Sequence, residues 1–204
     1  MMAAIMCGGK GSRIKNSIDI EKPLLMLKGK TMIELVFYAL AESHKFDKII
    51  GVTSSNTPKT QAFVSCFLAS LMTDLIKTEG RSYSKDLSVV LNNLKPATIF
   101  VVPADLPLLS PRVVQKVLSR YSAESPCVSI VSDYKFVVST GIKPSLVLNI
   151  NSKEYCHTGI SIIDSSKVKG LTTLKEDYVI MNEKEIAVNV NTKEELEIAE
   201  RLLG

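Results

Sequence analysis

The amino-acid sequence predicts an α/β protein with a doubly wound, mostly parallel but mixed sheet and a Rossmann-like N-terminal half. The first reason is that short apolar runs alternate with helical segments from residue 2 to residue 122, which is typical of parallel strands joined by right-handed crossovers. The second is that the first apolar run leads into a glycine-rich loop. The third is that strand-like runs follow one another from residue 126 onward, which indicates hairpins and an antiparallel part of the sheet.

The predicted elements of the first half follow from apolar runs and helix-capping residues. The strands begin at Met2 and then cover residues 24–27, 48–53, 74–78 and 98–102. The helices cover residues 31–43, 57–71 and 83–94, and another begins at residue 110. The first helix opens on Thr31 and Glu34, whose spacing is that of a capping box.

The second half contains shorter runs separated by turns. Its predicted strands cover residues 127–131, 136–139, 145–150, 159–163, 178–181 and 185–190. A last helix extends to Leu203 from Thr192 and Glu195, which form a second capping box. We expect these hairpins to complete the mixed sheet and to cover the functional site.

Length and composition bound the domain organisation. The chain has 204 residues, of which 46% are hydrophobic and 23% charged, so it can build a sizeable core and is unlike a disordered chain. No internal repeat, linker or low-complexity tract interrupts it. We therefore expect a single domain over residues 1–204.

The net charge and the hydropathy of the sequence limit the kinds of binding partner and the cellular location that we expect. The formal net charge is +4 and the basic residues are scattered, which favours a small anionic molecule over nucleic acid. No apolar run approaches the roughly 18 residues that span a bilayer, and no charged leader precedes the first strand. We expect a cytoplasmic protein with no membrane span, and the sequence leaves a homodimer open.

The loop of residues 7–13 predicts a phosphate site. Glycines let consecutive backbone N–H groups approach one anion, and Lys10 and Arg13 supply the countercharge. The spacing does not match a Walker loop. A dinucleotide fingerprint needs a third glycine where Ile14 stands, so that interpretation fails as well.

Two later motifs carry polar side chains that suit the same site. Asp105 follows a predicted parallel strand, and the carboxyl ends of such strands border the ligand crevice of open α/β sheets. Asn189 and Asn191 fall on one face of a predicted strand, because side chains alternate with a period of two. Thr192 follows them as the cap of the last helix.

The glycine loop and a Lys-Pro-Leu run beginning at Lys22 together resemble the signature of the nucleotidyltransferases that transfer NMP from an NTP. That signature is Ala-Gly-Gly-x-Gly-x-Arg-Met followed by Lys-Pro-Leu, and here Cys7 replaces the alanine and Ile14 the methionine. The Asp-x-Pro-Leu run at Asp105 resembles the metal-holding aspartate of this superfamily. The resemblance implies a fold like that of the nucleotide-diphospho-sugar transferases.

Three further segments carry a finer resemblance. Residues 54–60, 79–87 and 157–160 look like the corresponding segments of archaeal GTP:adenosylcobinamide-phosphate guanylyltransferases. The related molybdenum-cofactor guanylyltransferases usually have a second glycine-rich loop after the third strand, where this chain has only Gly80. The resemblance implies an enzyme of cobamide biosynthesis. It would transfer GMP from GTP to adenosylcobinamide phosphate and release adenosylcobinamide-GDP and pyrophosphate.

The resemblance also implies site residues and a Mg²⁺ ion. The implied catalytic residues are Arg13, Lys22 and Asp105. The implied nucleotide-binding residues are Cys7, Gly8, Gly9, Lys10, Gly11, Ser12, Arg13, Lys22, Ser54, Glu79, Gly80, Tyr83, Asp86 and Asp105. The implied acceptor-binding residues are Thr158, Gly159, Asn189 and Asn191, and the implied metal ligands are Asp105 and Asn191.

Two alternatives stay open at this point. One is molybdopterin guanylyltransferase or another NTP transferase of the same superfamily. The other, from a different class, is a nucleotide-binding regulatory protein without turnover. The presence of both Lys22 and Asp105 argues against the second alternative, because binding alone needs neither an α-phosphate lysine nor a metal carboxylate.

Overall fold

The computed structural model of the chain describes residues 1–9, 11, 14, 20–69, 74–168 and 175–203. Its strands are β1 (Met2–Met6), β2 (Met26–Leu27), β3 (Lys30–Thr31), β4 (Lys48–Ser54), β5 (Asp74–Thr78), β6 (Thr98–Pro103), β7 (Cys127–Asp133), β8 (Val147–Ile150), β9 (Lys153–Asp164) and β10 (Glu176–Ile180). Its helices are α1 (Met32–Glu42), α2 (Pro58–Ala69), α3 (Tyr83–Asn93), α4 (Pro111–Leu118), α5 (Tyr134–Ser139), α6 (Lys184–Ala187) and α7 (Lys193–Leu202).

The main sheet is mixed and mostly parallel, as the sequence predicts. Its strand order is β10-β7-β9-β6-β1-β4-β5, and β8 pairs with the first four residues of β9. β2 and β3 form a small separate sheet. β6, β1, β4 and β5 run parallel to one another, and β10 runs parallel to β7. β9 is antiparallel to both β6 and β7 and so joins these two parallel groups.

Helices cover both faces of the sheet, which confirms the doubly wound class. Successive strand residues point to opposite faces, and β1 shows this residue by residue. Ala3 and Ile5 belong to an apolar cluster with α1 and α4, whereas Ala4 between them belongs to a cluster with α3. All three side chains are at most 1% exposed, so β1 is a central, fully buried strand.

Two predicted strands are helices, which corrects the sequence interpretation. Residues 136–139 lie in α5, and residues 185–190 begin with α6 and continue without strand pairing. Both runs are short and apolar, and a run of this length has too few residues to separate a strand period from a helical one. In α5 only Val137 is buried while Val138 is 45% exposed, so one side of a short helix contacts the core.

The predicted hairpin strands do supply the antiparallel part of the sheet. β9 covers twelve residues, Lys153–Asp164, and is longer than the predicted segment 159–163. It pairs with β8 through a tight turn in which Asn151 and Ser152 take positive φ angles. Within the described residues, we find no helix whose length and apolar character would suffice to cross a bilayer.

Candidate functional site

The loops that follow β1, β4 and β6 meet at one edge of the sheet, because these strands are parallel. The Cys7 N–H donates to the Val52 carbonyl at 2.7 Å, and the Ala104 N–H donates to the Met6 carbonyl at 3.1 Å. Neighbouring loops are therefore tied together just beyond the strand ends. This edge is the crevice in which open α/β sheets bind ligands.

Four polar side chains from three distant parts of the sequence form one cluster at this edge. The Lys22 ammonium donates to Asp105 Oδ2 and, at 2.9 Å, to Asn191 Oδ1. Asn189 Nδ2 donates to Asp105 Oδ1 at 2.6 Å, and Asn191 Nδ2 donates to Asn189 Oδ1. The side chains of Lys22 and Asp105 are only 13% and 18% exposed, so their charges interact with little screening by water.

The segment that carries the two asparagines reaches Asp105 without forming a strand. The Val190 N–H donates to the Asp105 carbonyl at 3.0 Å, and the Asn191 N–H donates to Glu195 Oε2 at 2.6 Å. Glu195 also closes the predicted capping box with Thr192 at the start of α7. The predicted strand is wrong, but both asparagines still reach the site because the extended segment lies against Asp105.

Glu21 holds the position of Lys22, and sequence reasoning missed it. Its carboxylate accepts the backbone N–H groups of Lys59 and Thr60 at 2.9 and 2.6 Å and the Thr60 hydroxyl at 2.6 Å. These donors belong to the first turn of α2, where unpaired N–H groups and the helix dipole favour an anion. Glu21 thereby fixes the chain immediately before Lys22.

A cavity of about 420 Å³ opens beside the cluster. Its volume lies in the range of small-molecule pockets. The residues that line it are Met6, Gly8, Gly9, Gly80, Arg81, Ser82, Tyr83, Asp86, Pro103 and Asp105. The cavity thus joins the glycine loop to the segment that contains Gly80, Tyr83 and Asp86, and the resemblance implies nucleotide-binding residues in both.

The turn at Gly80 is built by hydrogen bonds that only a glycine permits. Gly80 has φ +69°, and a Cβ there would lie 2.3 Å from Asn56 Nδ2. Its N–H donates to the buried carboxylate of Asp86 at 3.1 Å, and its carbonyl accepts from Asn56 at 2.8 Å. Tyr83 lines the cavity beside this turn. Desolvation, helped by nearby negative groups that include Asp105, raises the pKa of its phenol.

Among the described residues, four predicted nucleotide-binding side chains lie outside the lining of this cavity, namely Lys22 of the polar cluster and Cys7, Ser54 and Glu79. Cys7 is buried against the core, and burial raises the pKa of its thiol. Ser54 is fully buried, and its hydroxyl donates to the Gly8 carbonyl at 2.8 Å. Glu79 is exposed and paired with Arg81. Cys7 packs in the core and Ser54 ties β4 to the glycine loop, so both support the loops beside the cavity, and their implied role in nucleotide binding stays a prediction.

The glycine loop is described only in part. Lys10, Ser12 and Arg13 lie outside the described residues. Gly11 has φ +58°, and a Cβ on it would lie 3.4 Å from the Lys22 Cβ, so the loop passes close to the lysine. Among the residues that the structure describes, no atom lies within 4 Å of a Cβ built on Gly9.

The predicted acceptor residues Thr158 and Gly159 form a bulge in β9. The pairing with β7 shifts register between Ser129 and Val131, and Gly159 takes φ +87° there. A Cβ on Gly159 would lie 2.7 Å from Pro103 Cγ, and the Thr158 hydroxyl donates to the Ile130 carbonyl at 2.9 Å. Bulge geometry and packing on Pro103 account for the glycine, and contact of Gly159 with the acceptor stays a prediction.

Gly159→Ala is therefore expected to lower the free energy of unfolding by about 1–3 kcal/mol, because it adds both positive-φ strain and overpacking. Urea unfolding measures the change. Gly9→Ala is the matched control and should stay within about 0.5 kcal/mol of the wild-type chain. A Gly159→Ala chain as stable as the Gly9→Ala chain would contradict the packing account.

The oxygen atoms of the cluster fit a Mg²⁺ ion shared with a substrate. Asp105 supplies a carboxylate, and Asn189 and Asn191 supply amide oxygens. Mg²⁺ is usually held by one or two carboxylates together with substrate phosphates rather than by an all-protein cage. Within the described ranges, no group of three or more His, Cys, Asp or Glu side chains could hold a metal ion.

Comparisons with known proteins agree on the kind of protein that this site belongs to. The sequence profile of the MobA-like NTP transferase domain matches residues 3–159. The chain is 30% identical over 207 residues to an adenosylcobinamide-phosphate guanylyltransferase of Methanocaldococcus jannaschii, covering 100% of this chain and 97% of that protein. It is 25% identical over 210 residues to a probable molybdenum cofactor guanylyltransferase of Natranaerobius thermophilus, covering 99% and 96%.

The fold has solved relatives with low sequence identity. A CMP:2-keto-3-deoxy-manno-octonic acid synthetase complexed with CTP superposes with a TM-score of 0.67 at 16% identity, covering 99% of this chain and 96% of that one. At this identity the likeness concerns the fold alone.

Proposed function

This chain belongs to the MobA-like NTP transferase family, and within that family we propose that it is a GTP:adenosylcobinamide-phosphate guanylyltransferase. It would transfer GMP from GTP to adenosylcobinamide phosphate, yielding adenosylcobinamide-GDP and pyrophosphate. The 30% identity to the enzyme of Methanocaldococcus jannaschii, which extends over the full length of this chain, supports this choice of acceptor. The observation that carries the transferase chemistry is the cluster of Lys22, Asp105, Asn189 and Asn191 beside a cavity bordered by the glycine loop.

The reaction brings two anions together, so charge control is the main task of the site. A phosphate oxygen of the acceptor attacks the α-phosphorus of GTP, and pyrophosphate leaves in line. No general base is needed, because a phosphate monoester is already ionised at neutral pH. Backbone N–H groups at Gly8, Gly9 and Gly11, with the cations of Lys10 and Arg13, would hold the triphosphate.

Lys22 would neutralise the α-phosphoryl group. Its ammonium has three donors, and among the described residues Asp105 and Asn191 take two of them, so the third can serve a phosphate oxygen. Asp105 and the two asparagines would hold the Mg²⁺ ion, which supplies further neutralisation of the phosphate oxygens when it is bound. The same carboxylate of Asp105 would thus position Lys22 and bind the Mg²⁺ ion.

The buried carboxylate of Asp86 would favour binding of guanine over binding of adenine. Its Oδ1 accepts from the Gly80 N–H, and the residue lines the cavity. A carboxylate accepts hydrogen bonds from adjacent N–H groups such as N1–H and the 2-amino group of guanine, whereas adenine has neither. We therefore propose residues 80–86 as the guanine site.

The proposal is tested by measuring pyrophosphate release for each combination of nucleotide and acceptor. We expect release from GTP only when adenosylcobinamide phosphate is present, and calorimetric titration should show tighter binding of GTP than of ATP. Asp86→Asn should reduce this preference by about tenfold or more, because an amide cannot accept both guanine donors. Equal affinities for GTP and ATP would contradict the guanylyl assignment and leave the family intact.

The same assay separates the two alternatives. The relative in Natranaerobius thermophilus favours molybdopterin guanylyltransferase as the second candidate, and that activity would appear as release dependent on molybdopterin instead. GTP binding without release with either acceptor would identify a regulatory protein. Magnesium dependence of release, followed over a Mg²⁺ series, tests the proposed ion.

A further inference from the structure

A polar cluster lies on the sheet next to the nucleotide cavity and has no part in the steps above. It consists of Ser129, His157, Ser161, Glu176 and Tyr178, which we call the β9–β7–β10 cluster. In the strand register, Ser129 is opposite both Ser161 and Tyr178, and Val131 is opposite His157. Residues paired in this way share one face of a sheet, as do alternate residues along a strand.

This face also forms the floor of the nucleotide cavity. Val101 is opposite Ser161 across β6 and β9, and Pro103 lies two residues further along β6 on the same face. Pro103 lines the cavity and contacts the Gly159 bulge. Strands are about 4.8 Å apart, so β7 lies about 10 Å from the cavity floor on β6. A molecule that lies beside the nucleotide over β9 and β7 would contact the cluster.

His157 connects the cluster to the reaction centre. It lines a small cavity together with Asn189 and Asn191, the same asparagines that contact Asp105 and Lys22. Its Nδ1 accepts the Gly159 N–H at 2.9 Å, which fixes the ring with Nε2 on the side of Glu176. Nε2 lies 3.8 Å from Glu176 Oε1, which is longer than a hydrogen bond, so a ligand group beside the pair could contact both atoms.

Glu176 gives the cluster a permanent negative charge. Its Oε1 accepts the Ser129 hydroxyl, and its Oε2 accepts the Tyr178 hydroxyl at 2.8 Å. The imidazole of His157, followed by these hydroxyls, lowers the pKa of Glu176 to about 2, so the carboxylate is ionised at neutral pH. Its side chain is 37% exposed, and a carboxylate has further lone pairs that can accept hydrogen bonds from a ligand.

We propose that the β9–β7–β10 cluster binds the body of the acceptor and selects a phosphate monoester attached to a neutral or cationic body that carries hydrogen-bond donors. The inference rests on the proposed transferase function. An acceptor with further negative charge would be repelled by Glu176, whereas amide N–H groups or a cationic centre would be attracted. A corrinoid phosphate, with carboxamides around a cationic cobalt ring, has this chemistry, and a pterin dithiolate phosphate does not.

The test is Glu176→Gln in the full chain. We expect the KM for adenosylcobinamide phosphate to rise about tenfold or more, as for loss of a hydrogen bond to a charged group, while the GTP dissociation constant changes less than about twofold. Asp177→Asn is the matched control, because it removes the same charge from the adjacent residue on the opposite face of β10. An unchanged acceptor KM in folded Glu176→Gln would overturn the inference.

Two further measurements keep the inference separate from the proposed function and from misfolding. If Glu176→Gln lowers the unfolding midpoint, Tyr178→Phe replaces it as the test variant, because it removes only the hydroxyl of a partly exposed side chain. We expect Tyr178→Phe to raise the acceptor KM about threefold. If the wild-type chain releases no pyrophosphate with this acceptor, the proposed function fails. Titration of cobinamide, followed by its visible absorption, then decides the inference: it stands if Glu176→Gln weakens binding and falls if binding is absent or unchanged.

Discussion

Lys22→Ala is expected to lower kcat for nucleotidyl transfer by about 10²- to 10³-fold, while GTP affinity falls much less. The reason is that a preorganised ammonium acts mainly on charge that develops in the transition state. Glu21, bound to the first turn of α2, and the hydrogen bonds to Asp105 and Asn191 hold Lys22 in place. The loop amides would still hold the β- and γ-phosphates in the variant. Steady-state kinetics paired with GTP titration measures both effects.

The control for this experiment is Lys45→Ala, which removes the same charge from an exposed residue preceding β4, at the opposite edge of the sheet. It should leave kcat within about twofold, because exposed charges at that distance are screened. Lys22→Ala also leaves the partly buried Asp105 without its ion pair, and we expect a loss of about 1–3 kcal/mol in unfolding free energy. A GTP affinity that falls in proportion to the rate would show that Lys22 is only a binding contact.

Asp105→Asn is expected to lower kcat by a similar 10²- to 10³-fold and, unlike Lys22→Ala, to raise the Mg²⁺ concentration for half-maximal rate about tenfold or more. The carboxylate is the charged oxygen ligand in the cluster, and it also accepts from Lys22 and Asn189. An amide can replace one accepting oxygen, but its NH₂ group would then face a donor. Rates measured over a Mg²⁺ series with each variant separate the two residues.

Asp177→Asn serves as the charge control here as well, since Asp177 is half exposed on the outer strand β10. An unaltered Mg²⁺ dependence in Asp105→Asn, together with a lowered rate, would assign Asp105 to positioning of Lys22 and would exclude it as a metal ligand. An unaltered rate would remove Asp105 from the mechanism altogether.

Features that depend on neighbouring residues could be predicted from the sequence. Both capping boxes, at Thr31 and Thr192, form as predicted because their hydrogen bonds join residues three positions apart. The alternation of strands and helices up to residue 122 predicts the parallel sheet for a related reason, since the order of neighbouring elements along the chain carries the signal. The glycine loop and Asp105 at the end of β6 are local signals of the same kind.

The failures lie where the local signal is short. The runs at residues 136–139 and 185–190 are apolar enough for strands, but they form α5 and α6 and the extended segment that carries the asparagines. Their burial against the rest of the chain decided the outcome. At Gly159 the sequence indicates only that some group approaches the backbone closely; the structure identifies Pro103 as one such neighbour, and contact with a ligand stays a prediction.

The sequence by itself thus determined the sheet class, the capped helices and the presence of a glycine loop, a lysine, an aspartate and two asparagines that suit phosphate chemistry. Only the tertiary structure decided which of them meet. Lys22 and Asp105 are 83 positions apart, and Glu21 is 38 positions from the first of its partners on α2. The cavity between Gly8 and Asp86 and the cluster around Glu176 likewise depend on strand order and register. Such contacts are formed by chain closure over long separations, and no local preference of the residues specifies them.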